Sequence, residues 1–448
     1  MSNGALMWFL LGLGSQLQIV ASLGVSELAI FLIAPLIFLS EHKYMKQSGM
    51  TTFFGVSLLV VIGCAISCVA NRPESRFVLR GFAVVCLTPC IIIVVHRMLR
   101  KRMDGIKWFL VGYAISGVVS TFVFQKSVEV TMQAGGVSGI DAADMIMSGP
   151  IYWIQRLSPF ITLYPQGWYI SCPFTISWLS PLFVVALAIF TSISGRAVAI
   201  GSIATTVLIL LGGKTPSQIR RRICKNFWFL VILAIAGINC VSVGYRILAQ
   251  SGTLGEEARV KYENQTKGSH SIGQLLLGGR MASFCGLLAC VDKPIVGFGP
   301  WAMDRGGYTQ KFLEKFATAE DYNNYLSMIQ FFSRIGIRRE SLIECHSYIV
   351  EFWCWYGIAG LIFWLYALFV LVRYLKEDCY AIPQWYMWLA GGIPMYIWDI
   401  FFSPFGNRVP RILMLVACLM VRAVRKGRVR MPNSMRAEIL KLGYDAIP

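Results

Sequence analysis

Charge is what this sequence has least of. Asp, Glu, Lys and Arg together make up 14% of the chain, against about 25% in ordinary soluble domains. That shortage excludes a water-soluble globule with a fully polar exterior. Familiar catalytic signatures are missing as well. There is no Walker loop, no His-Glu-x-x-His helix and no Asp-x-Asp pair of the kind that holds a metal for nucleotide sugars. The His residues at 42, 96, 270 and 346 are too scattered for a haem or zinc cluster. No Cys-x-x-Cys pair occurs. Neither a metal nor a cofactor is expected. The first residues also lack a basic segment and a small-residue cleavage site, so the first apolar run is expected to serve as its own signal.

Hydrophobic residues are abundant, at 56% of the chain, and the mean hydropathy is +0.61. Apolar runs fall at 5–22, 25–40, 53–70, 78–96, 106–124, 174–193, 196–212, 226–244, 347–372, 383–402 and 408–422. Runs of about 17–25 residues are long enough to cross a bilayer as helices. The expected fold is therefore all-α: a polytopic transmembrane bundle of about 11–12 helices with one large external loop containing short helices. The net charge of +18 sits largely in short loops, where it sets orientation. No aromatic-basic repeat suggests a nucleic-acid partner. Of the thirteen Cys residues, most lie inside apolar runs, where a thiol behaves as a small hydrophobe. Cys285, Cys290 and Cys345 lie in the long loop, where one disulfide is open.

Five basic clusters are expected in the cytoplasm: Lys43 and Lys46; Arg97 to Lys107; Lys214 to Lys225; Arg373 and Lys376; and Arg422 to Arg430. An even number of crossings must separate the second from the third, and Met145 to Pro165, broken by Pro150, Arg156 and Pro159, is the best hidden crossing or re-entrant segment. Both termini are then inside. Arg72, Arg76 and Arg80 fall outside, against the charge rule. The chain divides into N-terminal spans (1–125), an external or re-entrant segment (126–173), central spans (174–244), a large periplasmic loop (245–346), C-terminal spans (347–422) and a basic cytoplasmic tail (423–448). The tail is expected to lie near anionic membrane lipid.

Three places carry polar groups beside apolar runs. Ser194-Gly195-Arg196-Ala197 joins two spans; its Arg either snorkels to the interface or meets an anion. Arg280 stands before an apolar stretch that ends in Pro294-Ile-Val-Gly297-Phe-Gly299-Pro-Trp301. A guanidinium at a helix start suits phosphate, and the two glycines allow tight turns near a ligand. The third is His346-Ser347, at the mouth of a long apolar run; an exposed imidazole there can act as a base. Trp301, Tyr348 and Trp353 can stack on sugar faces or form an interfacial belt. Asp399 is a lone acid in an apolar run, suited either to proton coupling or to a partner within the bundle. His270 is a less specific candidate.

Taken in order around one loop, these landmarks resemble the O-antigen ligase and O-antigen polymerase superfamily over about residues 170–375. Ser194-Gly195-Arg196 resembles its Ser-Arg-Gly motif with the last two residues exchanged. Arg280 with Pro294 to Gly299 resembles its Arg followed by Pro-hydrophobic-hydrophobic-Gly-x-Gly. His346-Ser347 with Gly357-Ile-Ala-Gly360 resembles its His-Asn followed by Gly-hydrophobic-hydrophobic-Gly, with Ser for Asn. The resemblance implies a bacterial inner-membrane glycosyltransferase with its active site on the periplasmic face. Its donor would be a polyprenyl-diphosphate-linked oligosaccharide. His346 is then the base. Arg280 and Arg196 bind and stabilise the leaving diphosphate without a metal, and Trp301 and Ser347 join them in holding substrate. A surface-polysaccharide polymerase is expected first. A ligase to lipid A core is the alternative, and a transporter or flippase a further one. A flippase and chain-length regulators are the protein partners to expect.

Overall fold

The structure is a computed structural model. It describes residues 3–15, 18–20, 23–106, 108–113, 115–116, 281–316, 342–343, 345, 347–378, 382–403 and 408–430, with short pieces between 236 and 262. Arg196, Arg280 and His346 lie outside the described residues. So do the spans expected at 174–193 and 196–212, the segment 145–165 and most of the loop.

The described residues are mostly helical. In chain order they form α1 (Asn3–Gly14), β1 (Gln18–Val20), β2 (Leu23–Gly24), α2 (Val25–Ser48), α3 (Thr51–Asn71), α4 (Ser75–Lys101), α5 (Met281–Asp292), α6 (Tyr308–Phe316), α7 (Tyr348–Tyr356), α8 (Ile358–Arg373), α9 (Pro383–Phe402) and α10 (Arg408–Arg425). Four helical stretches are long and apolar enough to cross a membrane: Val25–Ser48, Thr51–Asn71, Phe77–Lys101 and Ile358–Asp378.

Two expected spans are corrected. The run at 5–22 is not one helix. α1 stops at Gly14, where the Ser15 hydroxyl bonds back to the Leu11 carbonyl at 2.6 Å. Gln18–Val20 then pairs antiparallel with Leu23–Gly24, a short two-stranded piece within a mostly helical set of described residues. The run at 347–372 is broken at Gly357, which adopts φ +63° and separates α7 from α8. The cause is a docked loop, described below.

Local sequence explains the remaining boundaries. α2 ends on Gly49 at φ +75°; the N–H groups of Gly49 and Met50 return to the carbonyls of Lys46 and Met45, a Schellman closure. α3 ends on Arg72, and Pro73 directly after it cannot continue a helix. α2 and α3 turn apolar side chains outward: Leu32 is 72% exposed, Leu36 82%, Leu39 86% and Val69 78%. Water would not tolerate that much exposed hydrocarbon on one face, whereas lipid solvates it. α10 is the opposite case. From Ile412 to Val421 nearly every side chain is buried, so it is an interior helix packed against α4, α8 and α2.

Buried ion pairs tie the bundle together. On α2, Glu41 accepts two hydrogen bonds from Arg100 of α4, at 2.9 and 3.0 Å. It also meets His96 Nδ1 at 2.9 Å, and His96 Nε2 meets the Ser48 hydroxyl at 2.9 Å. Asp399, the lone acid of α9, has a partner: Arg411 of α10 contacts it, and the Ser403 hydroxyl donates to it at 2.8 Å. This favours the partnered alternative over proton coupling. Cys285, Cys290 and Cys345 are free thiols, which removes the disulfide left open by their place in the loop. All three are buried; the Cys290 thiol donates to the Val350 carbonyl at 3.6 Å and the Cys345 thiol to the Ile343 carbonyl at 3.7 Å.

Candidate functional site

One end of the bundle brings together the described parts of two landmarks, Pro294–Trp301 and Ser347 with Gly357–Gly360. It is the end where α3 finishes at Asn71 and α4 begins at Ser75. The segment Pro294–Trp301 crosses it and locks onto the end of α7. The N–H groups of Phe298 and Gly299 donate to the carbonyls of Cys354 and Trp355 at 2.7 and 3.0 Å, and the Ile358 N–H donates to the Ile295 carbonyl at 3.1 Å. The fit requires glycine on both sides. Gly297 has φ +72° and Gly357 φ +63°. A Cβ on Gly357 would stand 1.9 Å from the Ile295 carbonyl oxygen, and one on Gly297 would stand 2.6 Å from the Gly357 nitrogen. The Gly297-x-Gly299 motif and the Gly357…Gly360 motif therefore form one interlocked backbone unit.

That unit is stitched to its surroundings. Asn71 donates to the Gly297 carbonyl at 3.0 Å, and Lys293 donates to the Asn71 side-chain oxygen at 2.8 Å. Trp353 donates its indole N–H to the Pro294 carbonyl at 2.9 Å. Farther along, Met303 pairs with Leu342, and the Ile343 N–H donates to the Ala302 carbonyl at 2.9 Å. The loop is thus bound both to the end of α7 and to the residues that precede His346 in sequence. α5, which directly follows Arg280 in sequence, packs on α7, which begins two residues after His346.

Trp301 sits in a stack. Its ring lies 4.7 Å from Trp355 and 6.4 Å from Phe77, and the Arg80 guanidinium rests 4.5 Å from its centre. Trp301 itself has φ +51°, a conformation a bulky residue adopts only when its surroundings impose it. Ser347 is fully buried. Its hydroxyl donates to the Ile400 carbonyl at 2.9 Å and accepts from the Val350 N–H at 3.3 Å, so it caps α7 and ties it to α9. Tyr308 donates to Asp292 at 2.7 Å. Burial, and then that hydrogen bond, pushes its hydroxyl above the usual tyrosine range, so it stays protonated as a donor.

Three guanidinium groups at this end were not among the expected site residues, although Arg80 stood out as an external charge. Arg80 stands on α4 beside Trp301, and Arg408 opens α10. Arg408 is anchored by Glu27 at 3.2 Å, and Arg411 by Asp399. Arg411 also lies over the Tyr396 ring at 5.2 Å. Its Nε has no hydrogen-bond partner among the described residues. Buried charges in an apolar bundle are costly and mark functional positions. The signal was present in the sequence: Arg80 stands inside an apolar run, and Arg408 and Arg411 open another.

Chemically, this end offers fixed guanidinium donors, a protonated tyrosine and stacked indoles beside a rigid loop. Such groups suit an anionic, sugar-bearing ligand held at a membrane surface. No family model, curated protein or solved structure matches the chain.

Proposed function

We propose that the protein is an integral membrane glycosyltransferase that takes its glycan from a polyprenyl diphosphate and passes it to the hydroxyl of a second glycan, as a surface-polysaccharide polymerase. One observation carries the reading: the interlock of Gly297-Phe298-Gly299 with Gly357. It unites two sequence motifs separated by a long stretch of chain, and these are motifs on which the likeness to the O-antigen ligase and polymerase superfamily rests. The guanidiniums of Arg408, which is buried, and of Arg80 and Arg411, which are half-buried, stand at the same end and support it, because a diphosphate leaving group needs fixed positive charge.

In this reaction the acceptor oxygen attacks the anomeric carbon. Its proton passes to the His346 imidazole, and the bond from that carbon to the diphosphate oxygen breaks. The electron pair leaves with the lipid diphosphate, which Arg280 and Arg196 stabilise. A single displacement inverts the anomeric centre. Trp301 holds a sugar face or shapes the wall behind it. Transfer to lipid A core uses the same donor and the same leaving group, so the product separates the two activities. The basic loops at the opposite ends of α2, α4, α8 and α10 support an external site.

Cells that depend on this protein for long-chain polymer provide the test. Arg280→Ala and His346→Ala, each present in the membrane at the normal level, should leave only single repeat units on the carrier lipid. Undiminished long chains in both variants would remove the catalytic assignment.

A further inference from the structure

At the opposite end of the bundle lies a cavity of about 110 Å³. It is bounded by α8, α10 and the turn between α2 and α3. Its rim carries Arg373, Arg422, Lys426 and Arg428, while Tyr366, Phe369 and Leu419 line its apolar part. Of the two carboxylates at this end, Asp378 lines the cavity itself and Glu377 precedes it in the chain; both are engaged. Glu377 meets Arg373 and Arg422 at 3.2 Å each, and Asp378 meets Arg425 at 2.7 Å. No carboxylate among the described residues pairs with Lys426 or Arg428. The excess of positive charge is felt locally: repulsion from Arg422 first, then partial desolvation and the neighbouring arginines, holds the Lys426 ammonium below the usual lysine range.

We propose that this cavity binds the phosphate headgroup of an anionic phospholipid. Size argues against larger anions. Small-molecule sites run to about 300–1,000 Å³, so a cavity of about 110 Å³ suits one phosphate and not a nucleotide. Shape argues for a lipid over free phosphate. The cations stand beside the end of α8, a membrane-length helix, and the apolar wall formed by Tyr366, Phe369 and Leu419 runs on into the exposed face of α8 at Ile362 and Leu365. Phe369 is 53% exposed on the outer side of α8, where an acyl chain would lie. Arg373 rests over its ring at 5.3 Å, joining the charged rim to the apolar wall. Basic pockets between spanning helices on the cytoplasmic side favour anionic headgroups. The site is at the other end of the bundle from the proposed transfer chemistry, and its occupancy is measured without any assay of activity.

The test uses the purified full chain in zwitterionic detergent, titrated separately with phosphatidylglycerol, phosphatidylcholine and inorganic phosphate. Retained lipid is counted by native mass spectrometry. Phosphatidylglycerol should be retained and phosphatidylcholine lost, and inorganic phosphate at the same concentration should not displace the bound lipid. Lys426→Glu with Arg428→Glu should weaken phosphatidylglycerol retention on the order of tenfold or more, at about 1 kcal/mol per cation near an anionic surface. Should that variant misfold, wild-type protein at raised salt gives the same answer, because exposed charges lose their reach beyond about 10 Å at 0.1 M. Retention that survives both charge reversal and salt would overturn the proposal. So would equal binding of phosphatidylcholine, which would leave only an apolar groove, or displacement by inorganic phosphate, which would make this a free-anion site.

Discussion

Gly357 is the residue on which the site's geometry turns. Its φ of +63° and the carbonyl of Ile295 just beyond it leave no room for a side chain. Gly357→Ala should cost about 1–3 kcal/mol through backbone strain alone, with more from the clash. We expect a lower midpoint in thermal unfolding and loss of polymer at levels of protein that still insert. Ser347 makes a contrasting case. From sequence it stands beside His346 and is expected to hold substrate; in the structure its hydroxyl is spent on capping α7 and on the Ile400 carbonyl. Ser347→Ala should therefore lower stability by about 1–2 kcal/mol. The capping role was legible, since a serine before an apolar run is a helix-start signal. The bond to Ile400 was not, because that carbonyl belongs to a helix 53 residues away in sequence.

At the scale of elements, helix existence was readable and helix interruption was not. Hydropathy marks α2, α3, α4 and α8 because each needs an apolar exterior. The break between α7 and α8 arises from the docking of Pro294–Trp301, a contact between distant segments that leaves no periodic trace. The same holds for Glu41. Its neighbours Lys43 and Lys46 and the basic residues after His96 were read as orientation signals, yet the structure joins α2 to α4 through Glu41, His96 and Arg100. Arg100→Ala would leave a fully buried carboxylate with His96 as its remaining partner. Breaking such a pair costs about 3–5 kcal/mol when both partners are buried, and somewhat less here because Arg100 is 25% exposed. The expected result is a marked drop in the detergent melting temperature. An unchanged melting temperature would mean that the tie between α2 and α4 contributes little.

For the whole molecule, composition alone announced the membrane, and four membrane-length helices agree with it. Orientation rests on the basic loops. A cysteine placed at Ser269 should react with a membrane-impermeant maleimide added outside intact cells; reaction only after lysis would reverse the topology. The candidate site was half legible. The glycine motifs were visible, but the guanidiniums of Arg408 and Arg411 looked like the start of a span, because their acid partners come from α2 and α9. The central claim is glycan transfer from a lipid diphosphate. It is tested most directly with purified protein in lipid nanodiscs, supplied with a polyprenyl-diphosphate-linked oligosaccharide and no metal. The account predicts lengthened glycan and one equivalent of released polyprenyl diphosphate per transfer, both abolished by His346→Ala. Release and lengthening that persist undiminished in His346→Ala, or an intact donor with wild-type protein, would contradict it.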